Sequence, residues 1–142
     1  MSLFGTLSIA GSGMSAESER LSAIASNVAN ANSAVSAGGQ PYRAREVVFQ
    51  AASLHGDGDG DPTSAGMKGV RVAAVVESDA PTHSVYDPSS TFADDKGYVQ
   101  MPNVNPVEEM VNMISASRSY QTNVDVMNTA KSLLEKALQM GG

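Results

Sequence analysis

The residues whose spacing most suggests chemistry are three aspartates that alternate with glycine near the middle of the chain. Asp57, Asp59 and Asp61 match the first three ligand positions of an EF-hand calcium loop. In such a loop the sixth residue is glycine and the twelfth is glutamate, whereas here they are Pro62 and Lys68. We therefore interpret this stretch as a solvated acidic loop, and the sequence predicts no metal site.

Three other patterns lack the surroundings that their chemistry requires. Residues 11–16, Gly-Ser-Gly-Met-Ser-Ala, imitate a dinucleotide-binding turn, but no predicted strand precedes them and no βαβ unit surrounds them. His55 and His83 stand alone, without metal-ligand spacing. Glu108 and Glu109 are adjacent on a predicted helix, so their carboxylates point in different directions. The sequence therefore predicts no catalytic residue, no cofactor and no enzyme.

Composition excludes further classes of function. The formal net charge is −6 and the nine basic residues are scattered, which argues against a nucleic-acid surface. Cysteine is absent, so no disulfide, thiolate nucleophile or zinc thiolate can form. No run of about 18 apolar residues exists, so we expect no lipid-embedded segment. The first positive charge is Arg20 and glycines interrupt the residues before it, so we expect no cleaved secretory signal.

Apolar residues recur at heptad spacing at both ends of the chain, which predicts two long helices. The first is expected to end near residues 30–32, where asparagine and serine accumulate. The second is expected to begin at Pro106, capped by Asn105, and to end at Gly141 and Gly142. The predicted seam consists of Leu7, Met14, Leu21, Ile24 and Val28 on the first helix and Met110, Ile114, Val124, Met127, Leu134 and Leu138 on the second.

Two glycines lie inside the first predicted helix. Gly11 and Gly13 each cost about 1 kcal/mol relative to alanine there, and they indicate either a bend or a close approach by a neighbouring chain. The large apolar side chains of this helix are few for the entropy lost on ordering it. We therefore expect the terminal helices to be loosely ordered in the free subunit and to become ordered on packing against neighbours.

The middle of the chain has the β-branched and aromatic runs that are typical of short strands. Predicted strands cover residues 42–51 and 70–77, and two shorter ones cover 84–86 and 98–101. The predicted fold class is α+β, with long terminal helices packed as an antiparallel coiled coil and a small β-rich insert between them. We divide the chain into an N-terminal helix at residues 1–36, a β-rich region at 37–104 with a flexible acidic loop near 55–66, and a C-terminal helix at 105–142.

Polar side chains interrupt the two apolar helices. They are Asn27, Asn30, Arg118, Tyr120, Gln121 and Asn123. One interpretation is a frayed helix end and a solvated helix face. The functional interpretation, which we predict, is that these side chains fix the register in which one helix lies on the next, as polar residues do in coiled coils.

Several of these stretches resemble a known family. Residues 26–32, Ser-Asn-Val-Ala-Asn-Ala-Asn, resemble the N-terminal signature of the bacterial flagellar rod and hook proteins, and residues 109–124 resemble their C-terminal signature. More narrowly, the chain resembles the proximal rod proteins of the flagellar basal body. The stretches that carry this narrower resemblance are residues 39–45, 47–50, 96–99, 101–104 and 128–131. The acidic insert at residues 56–65 departs from the pattern because it is longer.

The resemblance implies a structural protein without enzymatic activity. Members of this family are exported unprocessed through the flagellar type III apparatus and polymerise helically into the rod, a drive shaft that crosses the periplasm. Their paired terminal helices line the inner tube, which encloses the export channel, and the β region lies outside. The implied partners are other copies of the chain, other rod proteins, the adaptor protein at the base of the rod, the MS ring and the export apparatus.

Two other functions stay open at this point. One is a soluble ligand- or ion-binding domain on a coiled-coil platform, with the acidic loop as its site. Deleting residues 56–61 separates this alternative from a rod subunit, because only a binding domain needs the loop. The other is a periplasmic homo-oligomer with no role in the motor, which complementation of a rod mutant would separate.

Overall fold

Along the chain, a small set of antiparallel strands lies between two long helices. The structure is a computed structural model that describes residues 3–35, 38–54 and 67–141. Its elements are α1 (Leu3–Asn30), β1 (Arg45–Ser53), β2 (Lys68–Glu77), β3 (His83–Tyr86), β4 (Tyr98–Met101) and α2 (Pro106–Met140). The predicted α+β fold class is confirmed. The acidic loop predicted near residues 55–66 lies outside the described residues.

The ends of the helices follow local sequence chemistry. Asn105 caps α2, and its side-chain oxygen accepts a 3.1 Å hydrogen bond from the Val107 amide. Pro106 opens the helix, where a missing N–H costs nothing. α1 ends at Asn30, whose side chain donates a 2.9 Å hydrogen bond to the Ser26 carbonyl. The predicted ends of both helices within the described residues are confirmed.

The two helices pack antiparallel. A Cβ atom built on Gly13 would lie 2.8 Å from Nδ2 of Asn123, so the helix backbones approach closely there. At the other end of the contact, Asn27 is hydrogen-bonded to Glu109. These two contacts are equally far apart along both helices, which fixes one register for the whole pair. α1 runs without a break through Gly11 and Gly13, and the close neighbour is α2 of the same chain.

The strands form two separate antiparallel hairpins. β1 pairs with β2 from Arg45–Glu77 to Ser53–Lys68, with an irregularity between Val48 and Phe49. β3 pairs with β4. The first strand was predicted from residue 42 but begins at Arg45, because the Tyr42 hydroxyl and the Ala44 amide bond to asparagine side chains instead of a strand.

The β1–β2 hairpin lies along α1 and is fixed to it at both ends. Near the start of α1, the Val70 amide donates a 3.1 Å hydrogen bond to Ser12 Oγ. Gly69 packs so closely that an added Cβ would lie 2.5 Å from the same oxygen. Near the end of α1, Asn27 bonds to the backbone of Arg45. Two attachments hold the hairpin in one orientation.

The second hairpin depends on a glycine at its turn. Gly97 has φ +81°, a left-handed conformation that costs glycine little. A Cβ there would lie 2.9 Å from Cε2 of Tyr86, whose ring meets the Tyr98 ring edge-on at 5.3 Å. The hairpin joins the segment after α1 through a bridge between Val35 and Gln100. Across the described ranges, neither helix is long and apolar enough to cross a bilayer.

Candidate assembly interface

Small residues form the centre of the contact between α1 and α2. The most buried positions of α1 are Gly5, Ala10, Gly13, Ala16, Ile24 and Asn27, and those of α2 are Ala116 and Ala130. Small side chains let two helix axes approach, so dispersion contacts involve the backbones themselves. Small side chains therefore allow a shorter distance between the two helix axes than leucine and methionine side chains would.

The large seam residues predicted on α1 line the margin of this contact. Leu7, Met14, Leu21 and Val28 are only partly buried, whereas Ile24 is 5% exposed. A heptad of large residues was the strongest pattern in the sequence, but the buried positions beside it are the small residues Ala10, Gly13 and Ala16, of which Gly13 lies close to Asn123 of α2. The assembly role of the predicted seam stays a prediction.

The seam residues predicted on α2 divide into two groups. Val124, Met127 and Leu134 are partly buried on the side of α1. Met110, Ile114 and Leu138 are 54%, 56% and 70% exposed. The exposed three therefore take little part in the contact within the chain and remain available to another one.

An apolar stripe runs along the first half of α2 on the face opposite α1. Its members are spaced i, i+3, i+4 and i+7, and each is more than half exposed: Val107, Met110, Val111 and Ile114. At 100° per residue, they cluster about half a turn from the buried Ala116. We call these four residues the α2 stripe. Of these four residues, the sequence-based prediction included only Met110 and Ile114. Val107 and Val111 could have been predicted as well, because they are four residues apart and share the same helix face.

A buried asparagine joins the helix pair to the β region. Asn27 is 1% exposed, and its Nδ2 donates hydrogen bonds of 2.9 Å to the Arg45 carbonyl and 3.0 Å to Glu109 Oε2. Its Oδ1 accepts from the Arg45 amide at 2.8 Å and from the Tyr42 hydroxyl at 2.9 Å. We call Asn27, Tyr42, Arg45 and Glu109 the Asn27 junction. Every polar atom of the asparagine side chain is used, so its position is over-determined.

A second asparagine completes the same corner of the molecule. Asn103 Oδ1 accepts a 2.7 Å hydrogen bond from the Ala44 amide, and its Nδ2 donates to the carbonyls of Ser78 and Ala80. Beside it, Ala31, Ala44 and Val104 form a small apolar core that Tyr42 covers. The segment that leads from α1 to β1 is thus held in place by side-chain hydrogen bonds and not by backbone pairing in a sheet.

The other predicted register residues have different surroundings. Asn30 bonds within its own helix, and Asn123 packs against Gly13 of α1. Tyr120 is partly buried, and Gln121 donates to Asp125 one turn further along α2. Arg118 is exposed four residues beyond Ile114, in line with the α2 stripe. Of the six, Asn27 hydrogen-bonds across the helix pair and Asn123 lies close to Gly13 of the other helix.

More large apolar side chains are exposed at the opposite end of the helix pair. Phe4, Leu133, Leu138 and Met140 are each at least half exposed. Single exposed apolar residues are ordinary on protein surfaces, but patches of this kind at two places on one helix pair mark surfaces for association. The helix pair therefore exposes large apolar side chains at both of its ends.

No concentrated catalytic chemistry occurs in the part of the chain that the structure describes. Among residues 3–35, 38–54 and 67–141, no three histidine, aspartate or glutamate side chains converge to hold a metal ion. A cleft of about 550 Å³ lies between the helices and β1 and is lined by both acidic and basic side chains. The aspartates of the predicted loop, Asp57, Asp59 and Asp61, lie outside these ranges.

Comparisons with known proteins agree with this architecture. A family model described as flagella basal body rod protein matches residues 7–35, and one described as flagellar basal body rod FlgEFG protein C-terminal matches residues 95–140. The chain is 52% identical over 141 residues to the flagellar basal-body rod protein FlgC of Yersinia enterocolitica, covering 99% of both proteins. The protein of that name from Salmonella typhimurium is 50% identical with the same coverage. That from Borreliella burgdorferi is 39% identical over 147 residues, covering 97% of both.

The matched segments correspond to the two helices that build the interface. Residues 7–35 contain most of α1 with Asn27, and residues 95–140 contain β4 and all of α2. The chain therefore belongs to the flagellar basal-body rod protein family, as a FlgC-like structural subunit of the rod.

Proposed function

We propose that this subunit polymerises helically with copies of itself and with other rod proteins to form the proximal part of the rod. In this role the rod is the drive shaft that transmits torque, and its tube encloses the export channel. The single observation that carries the proposal is the α2 stripe, an uncharged apolar surface on the side of the helix pair that the chain leaves uncovered.

Burial of the α2 stripe supplies the driving force for assembly. Fully burying a side chain of this size contributes about 1.5–3 kcal/mol. The four side chains keep more than half of their surface in water in the single chain, so much of that free energy is available only in a complex. In the proposed polymer the stripe meets a different surface on its neighbour, and such a contact gives an open helical filament when the rotation between copies does not close a ring.

Torque transmission requires that the β region cannot rotate independently of the helices. The Asn27 junction supports this role, because one buried side chain of α1 bonds to both the start of β1 and α2. The second attachment, from Ser12 to Val70, prevents the β1–β2 hairpin from pivoting about the first. A force on the outside of the rod would thus reach the helices through two points.

The finer assignments rest on family membership and on the predicted patterns. We propose that the subunit contacts the adaptor protein at the base of the rod and the MS ring, and that it passes through the export apparatus without a cleaved signal. We further propose that it crosses the periplasm as part of the rod and has no enzymatic activity. The predicted seam residues would cover neighbouring helices, and the predicted polar residues would set their register.

The substitution Ile114→Asp tests the proposal. It places a charge in the α2 stripe, on a side chain that contributes little to the contact within the chain. We expect the free energy of unfolding of the purified subunit to change by about 0.5 kcal/mol or less. When the variant replaces the chromosomal copy, we expect few complete basal bodies in electron micrographs and no swimming in soft agar.

Two matched variants complete the experiment. Ser115→Asp adds the same charge to an exposed residue beside the stripe, and we expect it to leave assembly intact. Met127→Asp changes a partly buried residue that lies near Gly11 of α1, so we expect it to destabilise the free subunit as well. Normal basal bodies with Ile114→Asp would contradict the proposed role of the stripe.

A further inference from the structure

One carboxylate in the middle of α1 lacks a hydrogen-bonding partner. The Glu17 side chain is 12% exposed, and its Oε2 is buried and accepts no hydrogen bond from the described residues. The nearest cation is the Arg20 guanidinium, at 3.7 Å from Oε2, which is too long for a hydrogen bond. An unsatisfied buried acceptor destabilises a structure, and a charged one does so more strongly. In the single chain, Glu17 Oε2 can therefore accept a hydrogen bond from a donor of another molecule.

The space beside this carboxylate can hold a side chain. Glu17 lines a cavity of about 350 Å³ enclosed by α1, the β1–β2 hairpin and α2. Besides Glu17, its walls are formed by Ile9, Gly13, Ala16, Phe49, Lys68, Gly69, Val70 and Asn123. A guanidinium with an aliphatic stem can use these walls together, because it stacks on the Phe49 ring, packs its stem against aliphatic side chains and hydrogen-bonds to the Glu17 carboxylate.

The chain itself presents a cation without a partner. Arg20 faces Glu17, Arg43 bonds to Ser78 and approaches Asp79, Arg45 lies over the Tyr42 ring, and Arg71 bonds to Gln50. Within the described ranges, Arg118 is the one arginine whose guanidinium makes no hydrogen bond, ion pair or ring contact. It is exposed, and it extends the α2 stripe by one turn.

The register of the helix pair places these two groups at the same level. Gly13 lies against Asn123 and Asn27 lies against Glu109, so Arg118 lies level with Ser18, the residue after Glu17. Within one chain the two face different sides, because Arg118 points away from α1 with the stripe. Two copies side by side and in the same direction would bring the Arg118 of one to the Glu17 of the other.

We infer that the Glu17 cavity is a binding site for the Arg118 guanidinium of an adjacent copy, packed through its α2 stripe. The arginine donates to Glu17 Oε2 and covers the Phe49 ring. This is a contact between two different surfaces, so it repeats from copy to copy without closing. It rests on the proposed function in one respect: that copies of the chain lie next to one another in the rod.

Lys68 is the competing occupant, because it belongs to the same chain and lines the same cavity. It makes no ion pair with Glu17 within the described residues, since Glu17 has a contact of that kind with Arg20 alone. The variant Lys68→Met separates the two occupants. If Arg118 of a neighbour is the partner, we expect Lys68→Met to leave assembly unchanged.

Because the chain contains no cysteine, a thiol cross-linker can react with this chain only at cysteines that are introduced. Cells would carry two copies of the gene, one with Glu17→Cys and one with Arg118→Cys, and no unmodified copy. A short bismaleimide applied to purified basal bodies should then give a covalent dimer of this chain. Strains with either cysteine alone should give none. A covalent product that contains a different rod protein, or no product from assembled basal bodies, would overturn the inference.

Charge variants test the same contact in cells. We expect Glu17→Gln and Arg118→Met each to lower the number of complete basal bodies about tenfold, because each leaves a buried group unpaired. The exchanged pair, Glu17→Arg with Arg118→Glu, should recover part of that loss. Additive losses with no recovery, together with no cross-link, would contradict the contact. A different result would contradict the proposed function itself: the absence of this chain from basal bodies of unmodified cells.

Discussion

Asn27 Nδ2 donates a 3.0 Å hydrogen bond to Glu109 Oε2 across the contact between α1 and α2. The same side chain exchanges two hydrogen bonds with the backbone of Arg45, where the first strand begins. One residue therefore fixes the register of the helix pair and the exit of the chain into the β region. In a polymer that carries torque, as proposed for this subunit, this is one of the two points at which a twisting force would pass from the β region to the helices.

Removal of the Asn27 side chain should destabilise the free subunit strongly. Asn27→Ala leaves the Arg45 amide and carbonyl, the Tyr42 hydroxyl and the Glu109 carboxylate without this partner, and an unsatisfied buried group costs about 1–3 kcal/mol. Because several groups can turn toward water, we expect a loss of about 3 kcal/mol in the free energy of unfolding. Urea denaturation followed by circular dichroism measures it.

Asn30→Ala is the matched control for this prediction. Asn30 is also an asparagine near the end of α1, but its side chain bonds only locally, to the Ser26 carbonyl at 2.9 Å and to the Ser33 hydroxyl at 3.3 Å. We expect a change of about 0.5 kcal/mol or less. Equal effects of the two substitutions would show that Asn27 acts as an ordinary helix-end residue.

The two glycines of α1 should respond differently to alanine. At Gly11, an added Cβ would have an ordinary contact of 3.7 Å with Met127 Cε, so Gly11→Ala should stabilise the subunit by about 1 kcal/mol through helix propensity. At Gly13, the added Cβ would be 2.8 Å from Asn123 Nδ2, and the clash should cancel that gain. Thermal unfolding of both variants measures the difference.

A double substitution identifies the cause. Adding Asn123→Ala to Gly13→Ala removes the side chain that is in the way, so the gain from helix propensity should return in part. If Gly13→Ala alone stabilises the subunit as much as Gly11→Ala does, the close approach of α1 and α2 at this level is wrong.

Deletion of residues 56–61 should leave swimming motility near the unmodified level. A rod subunit depends on its helix pair, whereas an ion-binding domain would depend on these acidic residues. Swimming in soft agar is the measurement, and calorimetric titration of the purified subunit with Ca²⁺ is its companion. Loss of motility on deletion, together with measurable Ca²⁺ binding by the intact chain, would favour the binding-domain alternative.

Amide exchange of the free subunit should be uneven along α2. From Lys131 to Met140 only Leu134 is even partly buried, so the end of the helix has little packing to protect it. The turn that contains Glu109 is held by the Asn27 junction and should exchange more slowly. Uniform, strong protection along α2 in the isolated subunit would contradict the expectation that the helix ends become ordered on assembly.

Local sequence patterns predicted the elements well. Asn105, Pro106 and Gly141 define the ends of α2 by capping chemistry, which depends on neighbouring residues alone. β4 matches its prediction at residues 98–101, because its boundaries coincide with turn residues. The start of β1 did not match, since Tyr42 and Ala44 bond to Asn27 and Asn103 from distant parts of the sequence.

The packing face of the helices was harder to predict. A heptad of large residues such as Leu7 and Met14 is the obvious pattern, yet the small residues Ala10 and Gly13 are the more deeply buried ones, and α2 approaches closely at Gly13. Periodicity shows which residues share a face but not which of two neighbouring faces is nearer. The hydrogen-bonding role of Asn27 toward Glu109 depends on the register of the pair, and no single-sequence pattern contains that register.

The central claim is that the α2 stripe is covered by another subunit in the rod. A density map of the assembled basal body at side-chain resolution tests it most directly. We predict that Val107, Met110, Val111 and Ile114 pack against a neighbouring subunit, with each side chain within van der Waals contact of it. A map in which these four side chains face open solvent, while the rod is complete, would contradict the account.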